Sequence, residues 1–201
     1  VIENSPSAVA REIDLGAEWP FAGTVQHHVH ITDTGIEMQL TVNAIQAMPI
    51  QVGWHPWFVK PHATSLRFGA MLQRDSAKIS TEQQVPQPAN LVDDCFKDPE
   101  GSLTITIGSV HLTLSSDCSH WVMYDIPLNA TCVEPQSGHR MESTTRRWCL
   151  TRTLRSLKTS PLKSNKSPDI DEIFRQTFVR ARQFVTLLIH GAIFKLAGTK
   201  S

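Results

Sequence analysis

The chain has 201 residues, of which 40% are hydrophobic and 19% charged, enough for one buried core and ordinary for a globular protein; nothing in it demands a membrane or a fibre. The formal net charge is zero, but it is the sum of two opposed parts. Residues 1–138 hold 6 Lys/Arg against 15 Asp/Glu, or −9, and residues 139–201 hold 13 against 4, or +9.

Residues 1–20 are polar with scattered apolar positions, and Glu18-Trp19-Pro20 reads as a turn into the first clear strand. From Thr24 the pattern alternates: Val25, His27, Val29 and Ile31 point one way, and Gln26, His28 and His30 the other. Asp33-Thr34-Gly35 has hairpin chemistry, since glycine tolerates a positive φ. Alternation then resumes through Ile36, Met38, Leu40, Val42 and Ala44. His28 and His30 share a strand face that could offer two metal ligands, but no third follows at useful spacing. They read as solvent-facing strand residues, and no metal is expected.

Further strands are expected at Ile50 to Phe58, Ser65 to Leu72, Leu103 to Ile107, Val110 to Leu114, His120 to Tyr124 and Ala130 to Val133. Gly108-Ser109 and Pro127 mark turns between them, and the polar stretch from Asp75 to Asn90, with Pro86 and Pro88, reads as an irregular connection. Many short strands and hardly a helical period define a mainly β, antiparallel architecture. Beyond Gly138 the pattern changes. Met141 to Lys166 is rich in Ser, Thr, Arg and Lys and reads as linker-like. Pro168-Asp169 could start a helix carrying Ile170, Ile173, Phe174, Phe178 and Val179. Phe184 to Ala197 is apolar but interrupted by His190-Gly191 and too short for a membrane span. No basic stretch followed by an apolar one stands near Val1 as a signal peptide would require. Cys95, Cys118, Cys132 and Cys149 show neither zinc-ligand spacing nor a disulfide framework, which fits free thiols in a reducing cytoplasm.

Two segments carry chemistry. Gly53-Trp54-His55-Pro56-Trp57-Phe58 sets an imidazole between two indoles, and Cys132-Val133-Glu134-Pro135-Gln136-Ser137-Gly138 sets a carboxylate ahead of a proline. An acid and a base are what reversible opening of a sugar ring needs: the base removes the anomeric hydroxyl proton while the acid protonates the ring oxygen. Indole faces suit the apolar side of a pyranose. Trp54 and Trp57 alternate along a regular strand, so one is expected against the sugar and the other in the core.

At these residues the sequence resembles the aldose 1-epimerase (galactose mutarotase) family, in His55-Pro56-Trp57-Phe58, in the aspartate-containing turn Asp93-Asp94-Cys95-Phe96 and in Glu134-Pro135-Gln136. The resemblance implies a galactose mutarotase-like β-sandwich and an isomerase that interconverts the α and β anomers of a hexose with no cofactor. It implies His55 as the acid, Glu134 as the base, and Asp93, Trp54, Trp57 and Gln136 as sugar-binding residues. It covers roughly residues 15–138. The chain therefore divides into a partial sandwich domain, 1–138, and an atypical basic tail, 139–201, linker-like and then helical, expected to be a fused, frame-shifted or degenerate end. The long N-terminal half of full-length members, with its arginine and first histidine, has no counterpart that can be assigned here. The implied partner is a small-molecule sugar. The basic tail lacks the interleaved aromatics or motif of a specific nucleic-acid binder. Two alternatives accompany this reading. A hexose-phosphate epimerase of the same fold would want a basic cluster, which the first 138 residues do not supply; an inactive carbohydrate-binding remnant would keep the fold without turnover.

Overall fold

In the computed structural model, residues 1–15, 20–77, 79–89, 92–138, 144–146, 150–159, 185–189 and 192–195 are described. The polar beginning of the chain is already sheet: β1 (Glu3–Asn4) pairs with β2 (Ala8–Asp14), and β2 runs along β3 (Gly23–Thr32). Only Ala10 of β2 is fully buried, so this strand shows little apolar alternation to read. Glu18 and Trp19, expected in a turn, lie outside the described residues. β3 and β4 (Gly35–Ala44) form the expected hairpin, closed by Asp33 and Thr34 alone. Gly35 opens β4 opposite Thr32.

The strand expected over Ile50 to Phe58 is two strands, β5 (Met48–Trp54) and β6 (Trp57–Val59), parted at His55-Pro56, where proline has no N–H for a ladder. The Ser65 to Leu72 strand also divides. β7 (Ala63–Ser65) joins one sheet and β8 (Phe68–Arg74) the other, so the chain passes from one sheet to the other between them. β9 (Ser80–Val85) occupies part of the stretch read as an irregular connection; it is an edge strand with β8 as its partner, and most of its side chains meet solvent. Asp93 belongs to no turn, because it begins β10 (Asp93–Pro99). β11 (Leu103–Ile107) and β12 (Val110–Ser116) form the expected hairpin, with Gly108 at φ 56° in the turn. β13 (His120–Tyr124) pairs with β14 (Ala130–Gln136), which continues through the whole Glu-Pro-Gln segment.

The region beyond Gly138 departs furthest from its reading. β15 (Thr144–Arg146) pairs with β5, and β16 (Leu150–Thr159) stands between β4 and β12 with register on both sides. β17 (Val185–Ile189) pairs with β5 and with β18 (Ala192–Lys195). Those residues of Met141 to Lys166 are thus sheet and not linker, and part of the apolar run after Phe184 is strand. In β16 the neighbours on each flank supply the backbone partners that a weakly alternating Thr/Arg/Leu stretch does not advertise. The helix expected from Pro168 lies outside the described residues.

Two antiparallel sheets result, ordered β1-β2-β3-β4-β16-β12-β11-β7 and β18-β17-β5-β14-β13-β10-β8-β9, with β15 alongside β5 and β6 alongside β14. They bury one core. Val25, Leu40, Val42, Ile105, Leu112 and Leu114 from the first sheet meet Val52, Trp54, Phe58, Phe96, Trp121, Met123 and Val133 from the second. Phe96 lies against Phe68 at 5.1 Å between ring centroids, and Trp121 lies 6.4 Å from Phe68. The described residues contain no helix. The architecture is the mainly β, antiparallel sandwich expected from the strand pattern.

Candidate active site

The site lies on the face of the second sheet turned away from this core, and strand register assembles it. β14 pairs with β5 at Gln136 and Gly53, and with β6 at Cys132 and Trp57, in one uninterrupted register. Counting inward from either pair sets His55 opposite Glu134. Side chains two apart on a strand share a face, so Cys132, Glu134 and Gln136 look the same way as His55 and Trp57, while Val133 turns into the core. β13 lies beyond β14 with Tyr124 opposite Cys132, and β10 beyond that with Asp93 opposite Tyr124. Asp93 thus reaches the same face from two strands away.

Gly53 makes the close approach of β5 and β14 possible. A Cβ there would lie 2.8 Å from the Pro135 carbonyl oxygen and 3.2 Å from Cα of Gln136, both backbone atoms that cannot swing aside.

His55 Nε2 is 3.2 Å from Glu134 Oε1, and on the opposite edge of the ring Nδ1 is 2.9 Å from Cys132 Sγ. The Cys132 thiol also donates to the Pro56 carbonyl oxygen at 2.9 Å, and Gln136 Nε2 donates to Glu134 Oε2 at 3.3 Å. The Trp57 indole stacks on the imidazole, with centroids 5.5 Å apart and planes 17° from parallel, and meets Tyr124 edge-on. The His55 side chain is 33% exposed and that of Glu134 10%, so one of the two groups is accessible and the other withdrawn. Burial pushes the Glu134 carboxyl up to about 7; hydrogen bonds from Cys132 and Gln136 pull against this, and the Asp93 carboxylate pushes with it. A carboxyl near neutrality is suited to taking up and releasing a proton at physiological pH. Burial, with the Glu134 charge adding, holds the Cys132 thiol in its protonated form.

Arg74, at the end of β8, holds the aspartates. Its Nη2 is 3.2 Å from Asp93 Oδ1, and its Nε is 2.9 Å from Asp94 Oδ1 at an angle that makes the contact ionic without a hydrogen bond. The Asp94 carboxyl is raised, by burial first, with Arg74 opposing.

Of the residues singled out in the sequence, His55, Glu134, Gln136, Trp57 and Asp93 share this face. Trp54 does not: it is 1% exposed and packed in the core, the inward member of the tryptophan pair. Three neighbours went unpredicted. Cys132 stands two residues before Glu134 in a strand, which puts it on Glu134's face, so alternation could have found it. Arg74 and Tyr124 carry no such signal, since only the pairing of β8, β10 and β13 brings them near.

His55, Cys132 and Glu134 place one potential ligand atom each within 4.8 Å of one another. The imidazole shows opposite nitrogens to the sulfur and the carboxylate, so an ion held here would take one ring nitrogen and displace the contact made there.

No protein-family model matches the sequence, and no curated protein matches it. Solved structures do. The chain is similar to an Escherichia coli K12 protein assigned provisionally as an aldose 1-epimerase, with TM-score 0.64 and 14% identity over 79% of this chain and 67% of that one. It is similar to a galactose mutarotase-like protein from Clostridium acetobutylicum, with TM-score 0.59 and 14% identity over 76% and 62% of the two chains. It also resembles a galactose mutarotase related enzyme from Lactobacillus acidophilus, with TM-score 0.58 and 12% identity over 82% and 72%. The fold is therefore the galactose mutarotase-like β-sandwich. This chain spans between about three fifths and three quarters of the length of these structures.

Proposed function

We propose that this chain carries the acid–base site of an aldose 1-epimerase-type isomerase acting on a free hexose. The observation that carries the reading is the His55 Nε2 to Glu134 Oε1 contact of 3.2 Å on one sheet face, with Asp93 on the same face. The two oxygens of a hemiacetal sit on a single carbon, so the groups that exchange protons with them must be near neighbours, as these are. Glu134 as carboxylate takes the anomeric hydroxyl proton while His55 gives one to the ring oxygen. The ring opens to the aldehyde, the carbonyl rotates, and reclosure with the roles reversed yields either anomer. Proton count is conserved, so no cofactor is needed.

Asp93 and Gln136 are the hydrogen-bonding groups for sugar hydroxyls, and Trp57 is the indole that can present an edge or face to the ring. The Asp93–Asp94 pair, which already occupies Arg74, favours a neutral sugar over a phosphorylated one, whose charge two carboxylates would repel.

Saturation-transfer NMR on an equilibrated aldohexose tests the reading directly. The wild-type chain is expected to speed anomer exchange, with the rate rising with pH through about 7 as Glu134 ionises. The Glu134→Gln variant is expected to lose about 10²- to 10⁴-fold. Exchange at the uncatalysed rate with every aldohexose tried would leave a carbohydrate-binding protein in place of an isomerase.

A further inference from the structure

We infer that Cys132 is a positioning residue that fixes the tautomer of His55, holding a proton on Nδ1 so that the exchangeable proton stays on the Nε2 edge facing Glu134. This rests on the isomerase reading for its purpose, but on heavy-atom geometry for its content. Sulfur lies 2.9 Å from the Pro56 carbonyl oxygen and 2.9 Å from His55 Nδ1, and contacts this short each require a hydrogen between the atoms. The thiol has one hydrogen and the carbonyl none, so the S–H is committed to Pro56. The hydrogen in the second contact must then come from the imidazole, as Nδ1–H pointing at a sulfur lone pair. The Glu134 carboxylate is a second acceptor for the same hydrogen, so the S–H is shared between Pro56 and Glu134 and is not available to Nδ1. Cys132 is fully buried, and burial keeps the sulfur protonated, so no thiolate competes for the Nδ1 proton.

The consequence falls on the other edge of the ring. With Nδ1 occupied, a neutral His55 presents a bare Nε2 toward Glu134 Oε1, and the 3.2 Å contact between them holds one proton, carried either by the imidazolium or by the carboxylic acid. That is the proton the isomerisation has to move. A neutral imidazole with its proton on Nε2 could not take up another there, and would turn its vacant nitrogen toward a sulfur instead of the sugar. The chain's own backbone takes part: Pro56, which breaks the strand between β5 and β6, supplies the carbonyl that occupies the thiol hydrogen.

The test is ¹⁵N NMR of the full chain labelled at histidine, with the His55 signals assigned by their loss in His55→Gln. In the wild type, the neutral state of His55 is expected to show a protonated Nδ1 and an unprotonated Nε2. Cys132→Ser, which keeps a donor and an acceptor at this place, should retain that pattern. Cys132→Ala should shift the neutral form toward Nε2–H, lower the mutarotation rate about tenfold and displace its pH profile, while Cys132→Ser restores the rate to within about threefold. A neutral wild-type His55 protonated on Nε2, or a Cys132→Ala protein with unaltered nitrogen shifts and pH profile, would overturn the assignment. If the chain turns over no hexose, the isomerase reading fails, yet the nitrogen shifts still decide the tautomer.

Discussion

β12 and β14 are both seven residues long and both internal to a sheet, yet they bury their side chains in opposite styles. β12 alternates: Val110, Leu112 and Leu114 are buried in the core while His111 and Ser115 meet solvent. β14 is buried at every position, including Glu134 and Gln136. A strand that only has to hold a sandwich together needs one apolar face and is indifferent to the other. Burying polar groups on the second face as well costs free energy unless they are partnered, so it marks where the protein has a use for them. In β14 the partners are present: Gln136 for Glu134, and Pro56 and His55 for Cys132.

The contrast is sharpest for two histidines. His55→Gln should lower anomer exchange by about 10²- to 10⁴-fold, whereas His111→Gln, on the exposed face of β12, should leave it unchanged. Equal losses from the two in the NMR exchange measurement would mean that the second sheet has no special claim on the chemistry.

The buried carboxylate should also leave a signature in stability. Glu134 titrates near 7 in the fold against 4.5 as its ordinary value. Below 4.5 the acid is neutral in both folded and unfolded chains; between 4.5 and 7 the unfolded chain has given up the proton that the fold still holds, so stability falls and then levels off above 7. Glu134→Gln removes this burden, so urea unfolding should find the variant more stable than wild type by about 1–3 kcal/mol near pH 8. The difference should vanish near pH 4.5. A variant less stable at the higher pH would show that the carboxylate is well solvated in the fold.

Glycines extend the comparison to the backbone. Gly53→Ala drives a Cβ into the β14 backbone and should cost about 1–3 kcal/mol while also weakening exchange, because it displaces Glu134 from His55. Gly108→Ala, in the β11–β12 turn, has open space around its Cβ but a positive φ. It should cost only about 1 kcal/mol and leave exchange untouched, which thermal unfolding paired with the kinetic measurement would check.

The effect expected at Asp93 is modest. Asp93→Asn keeps a hydrogen-bonding side chain but removes the charge held by Arg74, and should raise KM for the sugar about tenfold with little change in kcat. A change confined to kcat would instead make Asp93 part of the proton relay.

The β3–β4 and β11–β12 hairpins were legible in the sequence because each buries one face, and a period of two follows directly from that. His55 and Glu134 were legible as a candidate acid and base from residue type and motif, and Trp54 as one of a pair that had to divide between core and site. Four features were not legible for a common reason. β2 and β9 have few buried positions, β16 takes its order from strands on either side, and the division of the Ser65 to Leu72 stretch depends on two different sheets. In each case the information sits in the partner and not in the segment.

By itself the amino-acid sequence determined which side chains could exchange a proton and which strands needed a core, since both are properties of single residues or of their period along one strand. That a histidine at 55 and a glutamate at 134 stand opposite each other, with a cysteine turned to one ring nitrogen and the carboxylate to the other, was decided only by the register of β14 against β5 and β6. Register is a relation between strands more than seventy residues apart, and hydrogen bonding between backbones, which are alike in every sequence, is what sets it.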